Sequence, residues 1–166
     1  VVATGPVNPV RTVSIGSELS GIVRKVNVDV NSIVKAGDVL IELDDSNLKA
    51  NVNQAKASLA SAKASLAEAQ ATLVEAEAKM RRYEELNKSS GGRLPSRTEL
   101  DAQRATVLKA KAGVQSARAA IDDAQATLDT RLTDLSKSQI KSPVDGVVLT
   151  RSVEPGYAVA ASLQAV

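Results

Sequence analysis

Hydrophobic residues recur with heptad spacing through the middle of this 166-residue chain. The first seam alternates steps of four and three residues, with a larger side chain on one line and alanine on the other: Leu48, Val52, Ala55, Leu59, Ala62, Leu66, Ala69, Leu73, Ala76, Met80 and Tyr83. The second seam advances by sevens, with a second line between its members: Leu100, Val107, Val114, Ile121, Leu128 and Leu135, then Gln103, Ala110, Ala117, Ala124 and Arg131. This period predicts two helices that pack in a left-handed supercoil.

A short polar link separates the two seams. Residues 89–92 (SSGG) end a helix because glycine is the preferred C-terminal stop, and Pro95 follows. Ser96 and Glu99 then have the capping-box spacing that starts a new helix. Two arms of similar length, joined by so short a link, predict an antiparallel hairpin, with each arm roughly 60 Å long at 1.5 Å per residue. We expect it to project from a separate base.

The flanking segments are rich in valine and related to each other. Of 26 alanines, 20 lie between Ser46 and Lys137, whereas 17 of 21 valines lie outside that segment, so the flanks favour strands. Seven residues recur at an offset of 125 positions: Ile15, Ser17, Gly21, Val23, Val28, Val34 and Ala36 match Ile140, Ser142, Gly146, Val148, Val153, Val159 and Ala161. We expect the two flanks to complete one small β-sandwich, interrupted by the hairpin.

Composition excludes several classes of function. The chain has no His, Cys, Trp or Phe, so the usual zinc, haem and iron–sulfur ligand sets are absent, as are a histidine base and a cysteine nucleophile. A net charge of +2 and the near absence of aromatic residues argue against nucleic acid. Carboxylate pairs such as those at 44–45, 84–85 and 122–123 have no pocket-forming segment near them, and we do not expect an enzyme.

Several motifs resemble a known family. Residues 20–23 (SGIV) followed by 34–44 (VKAGDVLIELD) resemble the first half of a biotinyl/lipoyl domain, and residues 142–148 (SPVDGVV) resemble the start of the second half. Lipoyl halves split by a coiled-coil hairpin resemble the periplasmic adaptors, or membrane fusion proteins (HlyD-like), of bacterial efflux pumps. Residues 3–5 with 15–21, and residues 155–165, are most similar to the macrolide-efflux (MacA) type.

The resemblance implies an α+β fold: a small all-β lipoyl-like domain split by a long antiparallel helical hairpin. Residues 1–12 would be a strand leading in from a β-barrel domain that the chain lacks. Residues 13–45 and 138–166 would be the two lipoyl halves, and residues 46–137 the hairpin, with arms at about 46–88 and 96–137 and a tip at 89–95. The chain would then be a fragment of a longer protein.

A lipoyl fold raises the alternative of a cofactor carrier. Carrier domains present a lysine at the turn between their halves, usually after Asp or Met. Here that position follows Asp45 and is taken by the helical insertion, and the nearest lysine is Lys49 on the first helix. We therefore expect no cofactor, covalent lipoate and biotin included, although a carrier domain with an unusual insertion remains an alternative.

At the hairpin tip the resemblance implies that Arg82, Leu86 and Ser96 dock onto a TolC-like outer-membrane channel. Leu86 would pack into a groove between the helices of the channel, and the other two would donate hydrogen bonds. Simpler roles are a surface ion pair for Arg82 and a plain N-cap for Ser96. The link between Leu86 and Ser96 is about three residues longer than is usual in the family.

In the second lipoyl half, Glu154, Pro155, Gly156 and Tyr157 would line a conduit, or would form an ordinary exposed turn. The implied protein is an adaptor located in the periplasm and anchored to the inner membrane in its full length. It would self-associate into a ring, a hexamer by resemblance, between an inner-membrane transporter and the channel. An ABC-type macrolide transporter is the first expectation. An RND pump, a type I secretion system and a coiled-coil scaffold that touches no transporter are the alternatives.

Overall fold

The computed structural model describes residues 11–161. In chain order these form β1 (Gly21–Val26), β2 (Ile33–Val34), β3 (Val39–Leu43), α1 (Ser46–Ser89), α2 (Arg97–Ser136), β4 (Gln139–Lys141), β5 (Gly146–Val147) and β6 (Ala158–Val159). The predicted fold class, a β domain split by a helical hairpin, is confirmed. Most of the expected lead-in strand at 1–12 lies outside the described residues. So do residues 3–5 and 162–165, which belong to the motifs that resemble the macrolide-efflux type.

The chain divides into two compact units, which we describe separately. The β unit contains the strands, with the chain up to Lys49 and from Leu132 onward, and the hairpin unit is Ala50–Arg131. Among the described helices, neither has a stretch long and apolar enough to cross a membrane.

Two antiparallel sheets build the β unit around one hydrophobic core. The larger sheet has the strand order β4-β3-β1-β6, and the smaller one pairs β2 with β5. Both sheets and both halves of the chain contribute buried residues: Val23, Val34, Leu40, Ile41, Leu43, Ile140, Val148, Val153 and Val159. Because neither half encloses the core alone, each depends on the other for burial of its apolar face.

Strand pairing in the β unit follows the 125-residue repeat. Gly21 pairs with Val159, and Val34 pairs with Gly146. Gly146 is the repeat counterpart of Gly21 and Val159 is the counterpart of Val34, so the second pair repeats the first with the two halves exchanged. The backbone bond from the Val23 N–H to the Tyr157 carbonyl (2.8 Å) is matched in the same way by the bond from the Val148 N–H to Ser32 (3.0 Å). The two halves are therefore related by an internal pseudo-twofold arrangement.

The hairpin unit packs along the predicted seams. Every buried residue of α1 and α2 is a seam residue: Val52, Ala55, Leu59, Ala76 and Met80 on the first helix, and Gln103, Ala110, Val114 and Leu128 on the second. Arg131, which the repeat also places on a seam, is exposed, since a guanidinium keeps its head group in water. The buried Gln103 donates from Nε2 to the carbonyl oxygen of Ala76 (2.9 Å) and so links the two helices.

Candidate functional site

The tip of the hairpin begins with a glycine-dependent helix stop. The Gly92 N–H donates to the Asn87 carbonyl (2.8 Å) and the Gly91 N–H donates to the Lys88 carbonyl (3.3 Å). Gly91 has a φ of 65°, in the left-handed region where a side chain is disfavoured. This pair of bonds is a Schellman motif, which ends α1 at a defined residue and sets the direction of the chain that follows.

A serine holds the loop that crosses from α1 to α2. The Ser90 hydroxyl donates to the Leu94 carbonyl (2.9 Å) and accepts from the Leu94 N–H (2.9 Å). Pro95 is buried, whereas the Leu94 side chain next to it is 58% exposed. The backbone of the loop is thus fixed at both ends while its leucine faces solvent.

The second helix starts with the predicted capping box. Ser96 donates to Oε2 of Glu99 from its N–H (2.8 Å) and from its hydroxyl (2.9 Å), and the Glu99 N–H donates back to the Ser96 hydroxyl (3.3 Å). The hydrogen bonds from the Ser96 N–H, and then from its hydroxyl, hold the pKa of the Glu99 carboxyl below its usual value. Ser96 is therefore the N-cap of α2, whatever else it contacts.

The three residues predicted to dock lie around this loop. Arg82 and Leu86 are one turn apart on the same side of α1, near its end, and Ser96 lies across the link at the start of α2. Leu86 is 45% exposed, and Arg82 and Ser96 are exposed. The surface ion pair considered for Arg82 is not found within residues 11–161. All three side chains are accessible to a partner, although the Ser96 hydroxyl already serves the cap.

The turn at 154–157 is well defined. The Tyr157 N–H donates to the Glu154 carbonyl (3.1 Å), with Pro155 and Gly156 between them and Gly156 at a φ of 92°, as a type II turn requires. The Gly156 N–H also donates to the Val23 carbonyl (2.8 Å). Tyr157 is 59% exposed. The turn thus presents a tyrosine to solvent from a backbone that is tied to β1.

A second turn, which we did not single out from the sequence, is the repeat counterpart of this one. The Ser32 N–H donates to the Asp29 carbonyl (3.0 Å), and Asn31, at a φ of 68°, occupies the position of Gly156. Arg151 connects the two turns, since its guanidinium lies 3.5 Å from Asp29 and 3.3 Å from Glu154. The 125-residue offset of the repeat relates Asp29 to Glu154 and Asn31 to Gly156, and it is the signal that could have found this turn.

The start of α1 bears on the carrier alternative. Lys49 lies in the first turn of the helix, and its ammonium is 2.8 Å from the Asp45 carboxylate, which is also 3.5 Å from Arg24. Asp44 accepts from the Ser46 hydroxyl (2.6 Å) and N–H (3.1 Å), and these bonds lower its pKa. These carboxylates are occupied in starting the helix and pairing with cations. In the described part of the chain, acidic side chains form no group of three that could hold a metal ion.

The helical unit matches a known protein family. Residues 58–130 match the family model described as the RND MFP (membrane fusion protein), alpha-helical hairpin domain. The chain is also similar to the multidrug resistance protein MdtA of Escherichia coli O139:H28, with 34% identity over 152 residues. That alignment covers 92% of this chain and 32% of MdtA, so the chain spans about a third of the length of the curated relatives it matches.

Solved structures extend the likeness to both units. The crystal structure of MacA from Actinobacillus actinomycetemcomitans matches with a TM-score of 0.83 and 31% identity, over 92% of this chain and 46% of that one. The membrane fusion protein Spr0693 of Streptococcus pneumoniae R6 shares the fold, with a TM-score of 0.59 and 18% identity over 89% of this chain and 59% of its own.

Proposed function

Because this chain belongs to the membrane fusion proteins, the periplasmic adaptors of efflux pumps, we propose that it bridges an inner-membrane ABC-type macrolide transporter to a TolC-like outer-membrane channel. The observation that carries the proposal is the likeness to MacA over 92% of the chain. The role is non-enzymatic. It consists of holding two membrane proteins in register across the periplasm and continuing the conduit between them.

Docking to the channel is assigned to the hairpin tip. Leu86 supplies an apolar contact for a groove between helices of the channel, in the helix-to-groove manner of recognition. Arg82, one turn earlier, supplies a charged hydrogen-bond donor. The exposure of both side chains near the end of α1 supports this assignment, and Ser96 adds a polar contact at the start of α2.

Self-association completes the conduit in this proposal. Several copies, six by family resemblance, place their β units in a ring. The turn of Glu154, Pro155, Gly156 and Tyr157 then faces the lumen. Its fixed backbone and exposed tyrosine support that placement.

The docking assignment is tested by cross-linking in the cells that make the protein. Leu86→Asp is expected to abolish the cross-link to the outer-membrane channel, because a carboxylate in an apolar groove loses its hydration. Leu86→Met keeps the apolar volume and is the matched control. Ser96→Asp is expected to weaken the cross-link, because it puts a negative charge at the contact; Ser96→Asn, which caps as well as Asp but is uncharged, should keep it. Helical circular dichroism should be unchanged in all four variants, and a surviving cross-link in Leu86→Asp would remove the assignment.

An RND pump is the second candidate for the transporter. It is favoured by the description of the matching family model, the hairpin of RND membrane fusion proteins. Affinity purification of the adaptor from its own membranes, followed by mass spectrometry, decides between the two. An ABC ATPase with its membrane domain supports the first proposal, and a large RND permease supports the second.

The carrier alternative has its own test. An intact mass measured after co-expression with lipoylating and biotinylating enzymes should equal that of the unmodified chain. A lipoyl or biotinyl adduct on Lys49 would show that the β unit carries a cofactor, and it would overturn the proposal that the unit serves only as part of an adaptor.

A further inference from the structure

The link between the helices contains an exposed leucine that the docking residues do not include. Leu94 is 58% exposed, more than Leu86, and it lies between Ser89 and Ser96 in a stretch whose other residues are Ser, Gly, Arg and Pro. Exposing a leucine in a loop gains nothing for folding, because the apolar side chain stays in water. Single exposed leucines are common. What distinguishes Leu94 is that hydrogen bonds fix its backbone.

The loop backbone around Leu94 is tied by hydrogen bonds on both sides. The Ser90 hydroxyl bonds both the N–H and the carbonyl of Leu94, at 2.9 Å each. The Schellman motif at Gly91 and Gly92 fixes the chain before it, and Pro95 is buried immediately after it. A contact residue whose backbone is already ordered loses less entropy on binding than one on a loose loop.

The charged residues that lie between Glu85 and Glu99 in the sequence are all basic. Residues 86–98 include Lys88, Arg93 and Arg97 and no acidic residue. Within the described part of the chain, none of these three cations forms an ion pair. A partner surface that meets them favourably is rich in carboxylates, because unlike charges across an interface attract and like charges are costly.

We infer that Leu94 and Arg93 form a second docking contact, which inserts into an apolar pocket rimmed by carboxylates at the end of the outer-membrane channel. This inference rests on the proposed function, and it gives a role to the part of the tip that is longer than the family spacing. Leu94 fills the pocket, and Arg93 pairs with the acidic rim. Ser90 is a positioning residue, which acts through the backbone of Leu94.

Photo-cross-linking in the cells that make the protein tests the contact at Leu94 separately from the docking contact at Leu86. A photoreactive amino acid is placed at position 94, at position 86 and, as a control away from the tip, at the 66% exposed Leu108. Products are identified by mass spectrometry. We expect positions 94 and 86 to capture the same outer-membrane channel and position 108 not to capture it.

Each other outcome has a definite meaning. Capture at 86 but not at 94 would overturn the second contact and leave the proposed function standing. Capture of the channel at neither position would overturn both. Capture at 94 of another copy of this chain, or of the inner-membrane transporter, would show that the loop serves a different interface.

Substitutions test the chemistry with position 86 as the reporter. Leu94→Asn should lower the yield of the channel cross-link at 86 about tenfold or more, since burying one leucine stabilises binding by about that factor; Leu94→Met should preserve the yield. Arg93→Glu should lower it and Arg93→Lys should not. Ser90→Ala should lower it less than Leu94→Asn. Unchanged yields in Leu94→Asn and Arg93→Glu, with normal helical circular dichroism, would refute the contact.

Discussion

Ser96 and Glu99 close the first turn of α2 on each other. The Glu99 carboxylate accepts two hydrogen bonds from Ser96, at 2.8 and 2.9 Å, and the serine hydroxyl accepts one from the Glu99 N–H. The sequence predicted this box from spacing alone, because both partners belong to one turn of helix and need no tertiary context. For such a cap, local sequence rules are enough to predict the structure.

Removing the Ser96 hydroxyl should destabilise the hairpin. Ser96→Ala leaves the Glu99 N–H without its side-chain acceptor, so the free energy of unfolding should fall by about 1 kcal/mol. Urea unfolding followed by helical circular dichroism measures it. Ser96→Asn, which also caps, should restore most of the loss; equal stability of the alanine variant and the wild type would contradict the assignment.

The same box should make the hairpin sensitive to acid. The hydrogen bonds from Ser96 lower the folded-state pKa of Glu99 below the 4.5 of an unperturbed glutamate. A lowered pKa stabilises the fold above pH 4.5, and this contribution is lost as the pH falls through the folded-state value. Thermal melts should therefore show wild type more stable than Glu99→Gln at neutral pH and the difference vanishing in acid. A difference that is independent of pH would count against a charge-assisted cap.

At the scale of elements, the sequence predicted the two seams but not the hydrogen bond between the helices or the exposed leucine of the loop that joins them. Heptad spacing identified every buried residue of the two helices, because burial in a helix pair follows a 3.5-residue period. It could not show that Gln103 bonds the Ala76 carbonyl, since a backbone acceptor leaves no mark in the sequence. Leu94 was missed for a related reason: its presentation depends on the path of the loop and on Ser90.

Gln103 should fix the register of the two helices. In Gln103→Glu a carboxylate replaces the amide donor and faces the Ala76 carbonyl, which should lower the free energy of unfolding by on the order of 1–3 kcal/mol. Gln103→Leu removes the bond but puts an apolar side chain of similar size in the seam, and should be close to neutral. Chemical denaturation of both variants measures the contrast, and a Gln103→Glu variant as stable as the wild type would contradict the prediction.

At the scale of the molecule, the β unit is one core assembled from two distant segments. Of the nine core residues within the described range 11–161, five precede the helices and four follow them. Pairing of Glu42 with Gln139 leaves the ends of β3 and β4 adjacent, where the helices leave and return. The repeat predicted the shared core. The division into sheets of four and two strands, and the register shifts in β1–β3 and β3–β4, arise from tertiary packing that a sequence pattern does not encode.

The β unit should therefore fold without the hairpin. Replacing residues 45–136 by Asn-Gly, a turn that suits a tight antiparallel connection, should give a monomer that unfolds cooperatively in urea, with a stability of no more than about 5 kcal/mol for so small a core. The same replacement carrying Val148→Asp, which puts a charge at a site 5% exposed, should not fold. If the first protein also lacked a cooperative transition, the core would depend on the helices, and the two halves could not be regarded as one independent domain.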